Sequence, residues 1–177
     1  MKIFVASDIH GSSYYMKKLA KLVEAENPDP IILLGDLYYH GPRNKFPKKY
    51  NPKLVSEILN SYKSKIICVK GNCDAEVDQM ISSFEIQDEY DATINNKSFL
   101  FIHGHQLDAK NLPKRDFIFA GHTHNPVINR DLNNATYINP GSLSLPKGMF
   151  KQSFAVFEDN KIIIKELGGK FIDSIDF

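Results

Sequence analysis

Five apolar runs in this chain end on a residue able to bind a metal ion. KIFVAS is followed by Asp8, IILLG by Asp36, KIICVKG by Asn72, SFLFI by His103 and DFIFAG by His122. Two of the runs carry a second candidate two positions on, His10 after Asp8 and His124 after His122. Taken singly, each is ordinary, because Asp and Asn beside glycine are common turn residues. The joint pattern is not ordinary, since four of the six histidines in the chain fall within it. In an extended chain the side chains at i and i+2 point the same way, so each pair is expected to address one site.

The set offers oxygen and imidazole nitrogen with no obligatory thiolate. It suits manganese, iron, zinc, nickel or cobalt better than calcium or magnesium. Seven protein ligands exceed what one open catalytic ion accepts. Two ions roughly 3.5 to 4 Å apart, sharing a carboxylate and a hydroxide, would use them all, and such pairs hydrolyse phosphate esters. Two divalent ions less Asp8, Asp36 and one hydroxide leave about one positive charge for an anionic substrate.

Residues so far apart in sequence must be brought together by the fold. Lys2 to Ser7 reads as a buried strand, Ser13 to Ala25 as a helix with Met16, Leu19, Leu22 and Val23 on one face, and Ile31 to Leu34 as a second strand. A loop from Leu37 to Asn51 leads to a second amphipathic helix carrying Leu54, Val55, Ile58, Leu59 and Tyr62, and Lys65 to Lys70 reads as a third strand. This β-α-β-α-β order predicts parallel neighbours. The carboxyl ends of such strands form the crevice where ligands sit. A helix is expected to begin near Ala75 with Asp74 as its N-cap. In the second half, Asn95-Asn96, Asn133-Asn134 and Asp159-Asn160 separate short apolar runs and read as tight antiparallel hairpins.

Composition bounds the rest. The 177 residues suit one domain spanning 1–177, with an ordinary 42% apolar and 24% charged content. A net charge of +1 offers no general field for nucleic acid or an acidic membrane. Lys45, Lys48 and Lys49 form one local cluster, yet basic and acidic residues balance, and a nuclease is expected to show a basic stripe. A nucleic-acid polymer is therefore disfavoured as a partner, and a homo-oligomer is compatible with everything above. Cys68 reads as a small buried hydrophobe. With only Cys68 and Cys73, a reducing, cytoplasmic setting is the simplest expectation. The run Lys2 to Ala6 is too short for a signal peptide, and no stretch approaches the roughly 20 apolar residues of a membrane span.

In order, DIH, GD, GN, a strand-end His with Gly, and GHTH resemble the signature of the calcineurin-like metallophosphoesterases, from Asp8 to His124. GPRN at Gly41 to Asn44, GNCD at Gly71 to Asp74, HGH at His103 to His105 and NPGS at Asn139 to Ser142 are similar to the YfcE-type phosphodiesterases of that superfamily. The resemblance implies an α/β fold, a four-layer α-β-β-α sandwich of two mixed β-sheets flanked by helices. It implies that Asp8, His10 and His124 hold one divalent ion and Asn72, His103 and His122 another, with Asp36 bridging. Manganese is the leading candidate, with zinc, nickel, iron(II) and cobalt as alternatives. Asp36 and Asn72 then lie nearest the chemistry, in which a metal-bridging hydroxide attacks phosphorus in line with the leaving oxygen. The implied substrate is a small phosphodiester; a phosphomonoesterase of the same fold and a Vps29-like protein-binding scaffold are the alternatives.

Arg43 is expected to clamp phosphate, and Cys73 and His105 to contact substrate. One departure stands out. Many superfamily members carry GNHD or GNHE, whereas Cys73 here stands in place of the histidine that the resemblance implies would protonate the leaving group or grip the phosphate.

Overall fold

A computed structural model of the chain describes residues 2–108, 110–132 and 135–177. In chain order the first half comprises β1 (Lys2–Ala6), α1 (Ser13–Glu26), β2 (Ile31–Leu33), α2 (Pro52–Ser61), β3 (Ile66–Val69), α3 (Glu76–Ile81) and β4 (Ile86–Gln87). The second half comprises β5 (Tyr90–Ile94), β6 (Lys97–Ile102), β7 (Phe117–Ala120), β8 (Val127–Leu132), β9 (Ala135–Asn139), β10 (Ser153–Glu158), β11 (Lys161–Glu166) and β12 (Phe171–Asp176).

These strands make two mixed sheets, ordered β12-β11-β10-β1-β2-β3-β4 and β5-β6-β7-β9-β8. The parallel neighbours β1, β2 and β3 are those expected from the β-α-β-α-β opening. β1 lies between two apolar layers, and its side chains divide by alternation: Phe4 and Ala6 join Met16, Leu19 and Leu59 of the helices, while Ile3 and Val5 join the second sheet. Burial on both faces explains why the run KIFVA carries no polar alternation. The second helix starts where its sequence says it should, since Asn51 Oδ1 accepts the Leu54 N–H at 3.0 Å and Pro52 occupies the first turn.

The helices α1 and α2 cover the outer face of the first sheet, and the second sheet packs on its inner face. On the far side of the second sheet the described residues provide no helix: Leu107 and Pro113, from the connection between β6 and β7, line a recess with Leu100 and Ile102. Asn95 and Asn96, with φ of 51° and 61°, turn the β5–β6 hairpin as expected, and Asp159, with φ of 55°, turns β10 into β11. The third expected turn, Asn133-Asn134, lies outside the described residues. The second half is nevertheless not purely antiparallel, because β6, β7 and β9 run parallel. The crossover from β6 to β7 lacks helical periodicity, and that deprived the sequence of the usual sign of a parallel connection.

Register in the two sheets decides where the candidate ligands arrive. Phe99 pairs with Phe117 and Phe101 with Phe119 across β6 and β7, with ring centroids 4.7 and 5.1 Å apart. Each such pair is worth about 0.5–1.5 kcal/mol beyond its area burial, and a one-residue slip would turn every ring to the other face. This ladder sets His103 level with Gly121, whose N–H donates to the His103 carbonyl at 2.9 Å. In the first sheet, Asp8 N–H donates to Gly35 O and His10 N–H to Asp36 O at 3.1 and 2.8 Å, tying the loops after β1 and β2 together. Among the described residues no helix is long and apolar enough to cross a membrane.

Candidate metal centre

Five of the seven candidate ligands have a backbone that side chains rarely adopt. Asp8, His10, Asp36, His122 and His124 have φ between 47° and 64°, in the left-handed region. The expectation that the pairs Asp8/His10 and His122/His124 converge through extended i, i+2 alternation is therefore corrected: β1 ends at Ala6 and β7 at Ala120, and each pair sits on a tight loop beyond its strand. A strained conformation costs on the order of 1–3 kcal/mol per residue and persists where the surroundings enforce it. The NPGS stretch does part of that work. Ser142 and Ser144 hydroxyls both donate to the Asp8 carbonyl at 2.9 and 3.0 Å, and Asn139 Nδ2 donates to Gly121 O at 2.6 Å.

Three imidazoles are aimed by backbone carbonyls. His10 Nδ1 meets Tyr39 O at 2.8 Å, His103 Nδ1 meets Leu34 O at 2.7 Å, and His124 Nδ1 meets Leu145 O. A carbonyl only accepts, so each Nδ1 carries the proton and each Nε2 of the neutral ring presents a lone pair to the centre. There His10 Nε2 faces His124 Nε2 at 3.3 Å, and the fully buried Asp8 Oδ1, 3.2 Å from His124 Nε2, has no hydrogen-bond donor. Ligand atoms of Asp8, His10 and His124 all lie within 4.8 Å of one another, as do those of Asp8, Asp36 and His103. Buried acceptors gathered around one point with no donor suit a cation, so the residues present fit a divalent metal ion.

The electrostatics agree. Burial works against a proton on His10, but the carboxylates of Asp8 and Asp36 prevail and raise its pKa above that of an ordinary imidazole. Burial would likewise raise Asp8, yet His10 and His124 hold it far below the usual carboxylate range. A metal ion competes with protons for the same imidazole lone pairs and carboxylates, so its binding should weaken as pH falls. Metal affinity measured by calorimetry should rise from pH 6 to pH 9; an affinity independent of pH over that range would contradict it.

Of the second expected group, His103 and Asn72 meet directly, whereas His122 stands beside them and joins none of the close clusters of ligand atoms among the described residues. His103 Nε2 lies 3.0 Å from Asn72 Oδ1, and the half-buried His122 ring stands 5.2 Å from the His103 ring. Between the two groups, Asp36 Oδ2 is 3.5 Å from both His10 Nε2 and His103 Nε2. Its other oxygen accepts the Cys73 N–H at 2.8 Å.

Asp74 is not the N-cap expected of it. Ala75 occupies that position, and the Asp78 carboxylate accepts its N–H at 2.8 Å. The buried Asp74 carboxylate instead accepts three backbone N–H groups, from Asp36 and Leu37 at 2.8 Å and from Gly71 at 2.7 Å. It thereby clamps the β2 and β3 loops together at the point where Asp36 leaves the sheet. That approach is close enough that a Cβ on Gly71 would collide with Asp36 Oδ1. Asp74→Ala would leave three buried donors unsatisfied, at about 1–3 kcal/mol each if they found no water. Denaturant unfolding should show a loss of about 3 kcal/mol or more, with a smaller loss for Asp74→Asn, which keeps one oxygen; equal stability of Asp74→Ala and the wild type would refute the clamp.

Arg43 and Cys73 line one cavity with Asp36, Asn72, His122 and His124, so both face the centre. His105 does not line it. Its ring lies 5.5 Å from His103 and 6.2 Å from His122, within an adjoining recess. Tyr39 and Lys147 line the main cavity and were not singled out from sequence. A loop lysine among 22 basic residues carries no local signal, and only the loop after β9 brings it here.

Comparison with known proteins follows the same lines. Residues 1–161 match the model of the calcineurin-like phosphoesterase superfamily domain. The phosphodiesterase YfcE of Escherichia coli is 38% identical over 176 residues, covering 97% of this chain and 95% of its own. A solved structure of E. coli YfcE, described as a phosphoesterase, superposes with a TM-score of 0.95 at 35% identity over 99% of each chain. Vps29 from Entamoeba histolytica, solved in complex with zinc, matches with a TM-score of 0.65 at 20% identity over 99% of each chain, a likeness of fold alone.

Proposed function

The chain belongs to the calcineurin-like phosphoesterase superfamily and is a phosphoesterase, and we propose that it cleaves phosphate diesters with two divalent metal ions. The observation that carries this reading is Asp36 Oδ2, equidistant at 3.5 Å from an imidazole of each ligand group. Asp8, His10 and His124 would hold one ion, and Asn72, His103 and His122 the other, with Asp36 shared. When bound, such ions acidify water into a nucleophile near neutral pH and neutralise charge on the phosphoryl oxygens.

The protein's own groups do the rest. The carbonyl-anchored histidines keep their Nε2 atoms converged, and the Asp74 clamp holds Asp36 between them. Arg43 and Lys147 stand at the cavity wall as cations for the phosphate or its substituents. The mixed oxygen and nitrogen donors lead us to assign manganese first, ahead of zinc, nickel, iron(II) or cobalt. Diester preference is supported by the likeness to YfcE and by the residual charge of about one, which matches a diester better than a dianionic monoester. All seven candidate ligands are present, and Asp8, His10, Asp36, His103 and His124 converge, which supports a metal-loaded enzyme over a metal-free scaffold. Both cysteines are free, as in a reducing compartment, and we place the enzyme in the cytoplasm.

The test is hydrolysis of bis(p-nitrophenyl) phosphate against p-nitrophenyl phosphate with each metal added in turn. The diester should be preferred at least about tenfold in kcat/KM, best with manganese. Faster monoester cleavage with every ion would overturn diester specificity, and no hydrolysis of either would overturn the enzyme reading.

A further inference from the structure

The near-neutral total charge conceals an uneven distribution. Residues 37–56 carry Arg43 and four lysines with no acid, and residues 9–23 carry three lysines with no acid, so all 21 acidic residues lie elsewhere. The fold packs these two segments together: Ser12 and Ser13 hydroxyls donate to the carbonyls of Lys48 and Lys49 at 2.7 and 2.8 Å, and Ser12 bridges Tyr50. Their cations are all exposed, and among the described residues none has a carboxylate within ion-pairing distance.

Aromatic rings run through the same surface. Tyr39 lines the catalytic cavity and is 43% exposed; its ring lies 4.7 Å from His40, which lies 4.4 Å from Phe46, itself 68% exposed. The Phe46 ring lies 5.1 Å from that of Tyr50, which bridges Ser12, and Lys48 Nζ stands 3.9 Å and Lys18 Nζ 5.0 Å from the Tyr14 ring of the adjoining helix. The Phe46 ring left in water has no role in the core, and among the described residues Lys18 and Lys48 meet the Tyr14 ring and no carboxylate. Alternating rings and cations are what a single-stranded nucleic acid needs, because bases stack on the rings and phosphates meet the cations.

We propose that this strip binds single-stranded oligonucleotide and feeds one of its phosphodiesters into the cavity at Tyr39 and Arg43. The inference rests on the diesterase reading of the metal centre and names its substrate class. The chemistry is balanced hydrolysis: a water oxygen bonds to phosphorus, the bond from phosphorus to one nucleoside oxygen breaks, and the water proton ends on that oxygen. The weak field expected from total charge concerned the whole molecule, whereas a strip acts within about 10 Å, the Debye length at 0.1 M salt.

The test uses manganese-loaded protein and a fluorescein-labelled oligothymidylate of about a dozen residues with phosphorothioate linkages to slow cleavage, followed by anisotropy from roughly 50 to 200 mM salt. Lys48→Gln and Lys18→Gln should each lower the slope of log affinity against log salt by about 0.7. Phe46→Ala should weaken binding roughly 5- to 150-fold, and the unlabelled phosphodiester oligomer should be cleaved. These side chains are exposed, and circular dichroism confirms that each variant is folded. Binding unchanged in both Phe46→Ala and Lys48→Gln would overturn the proposal. So would binding no tighter than that of inorganic polyphosphate, or tighter binding to phosphatidylglycerol vesicles, which would assign the strip to a membrane surface. Wild-type cleavage of bis(p-nitrophenyl) phosphate without oligonucleotide binding defeats this inference alone; failure of that cleavage defeats the reading beneath it.

Discussion

Asp36→Asn should lower kcat/KM on a phosphodiester by a factor on the order of 10³ or more, and should deplete both metal ions. The substitution is close to isosteric. Asn tolerates the left-handed backbone at this position, and its carbonyl oxygen can still accept the Cys73 N–H. What changes is the atom facing both imidazole groups, which turns from an anionic oxygen into an amide nitrogen that cannot serve as a ligand. Asp8→Asn provides the contrast, because the proposed assignment puts Asp8, whose Oδ1 lies 3.2 Å from His124 Nε2, in one group only, and its loss should cost chiefly the ion of that group. Metal content by mass spectrometry, measured alongside kcat/KM, decides the matter. Asp36→Asn protein that keeps two ions and loses less than tenfold in activity would remove Asp36 from the shared position.

The second large effect concerns the leaving group. A positioned general acid contributes roughly 10² to 10⁴ in rate, most where the departing oxygen is basic. By resemblance of GNCD to GNHD, Cys73 stands where many members of the superfamily carry a histidine. Burial, with the Asp36 carboxylate beside it, pushes its thiol up to about 12, too weakly acidic to replace an imidazole. Across a series of aryl methyl phosphates, kcat/KM should therefore fall on the order of 10²-fold or more as the phenol pKa rises from about 7 to 10. Cys73→Ala should leave the slope unchanged. Cys73→His should flatten it only in part, because three backbone N–H groups already fix the Asp74 carboxylate and leave it one acceptor site, on Oδ1, for the new ring. A wild-type slope near zero, with departure of the leaving group rate-limiting, would sink this account, and a steeper slope in Cys73→Ala would return the acid role to the thiol.

Residue type and strand-end position alone picked out the candidate ligands and the chemistry they would suit. Buried strands announce themselves as apolar runs, and in an α/β sheet their carboxyl ends share one edge, so DIH, GD, GN and GHTH could be collected without knowing any distance. The sequence also located β1 to β3, the first two helices and the Asn95-Asn96 turn, because each depends on contacts a few residues away.

Tertiary structure alone decided the rest. The left-handed backbone at the ligand positions is held by partners distant in sequence: Ser142 and Ser144 lie on the Asp8 carbonyl, the Asp8 carboxylate accepts the His122 N–H, and the Asp74 carboxylate accepts that of Asp36. Asp74 read as a helix cap because an acid ahead of a helix usually is one, and nothing local shows that its oxygens instead meet amides of residues 36 and 37. The basic strip is invisible in a total charge of +1, since lysines of α1 and of the loop before α2 become neighbours only when Ser12 and Ser13 bond that loop. Side-chain chemistry is written residue by residue, but the direction in which each group points, and the company it keeps, depend on long-range packing that no stretch of sequence contains.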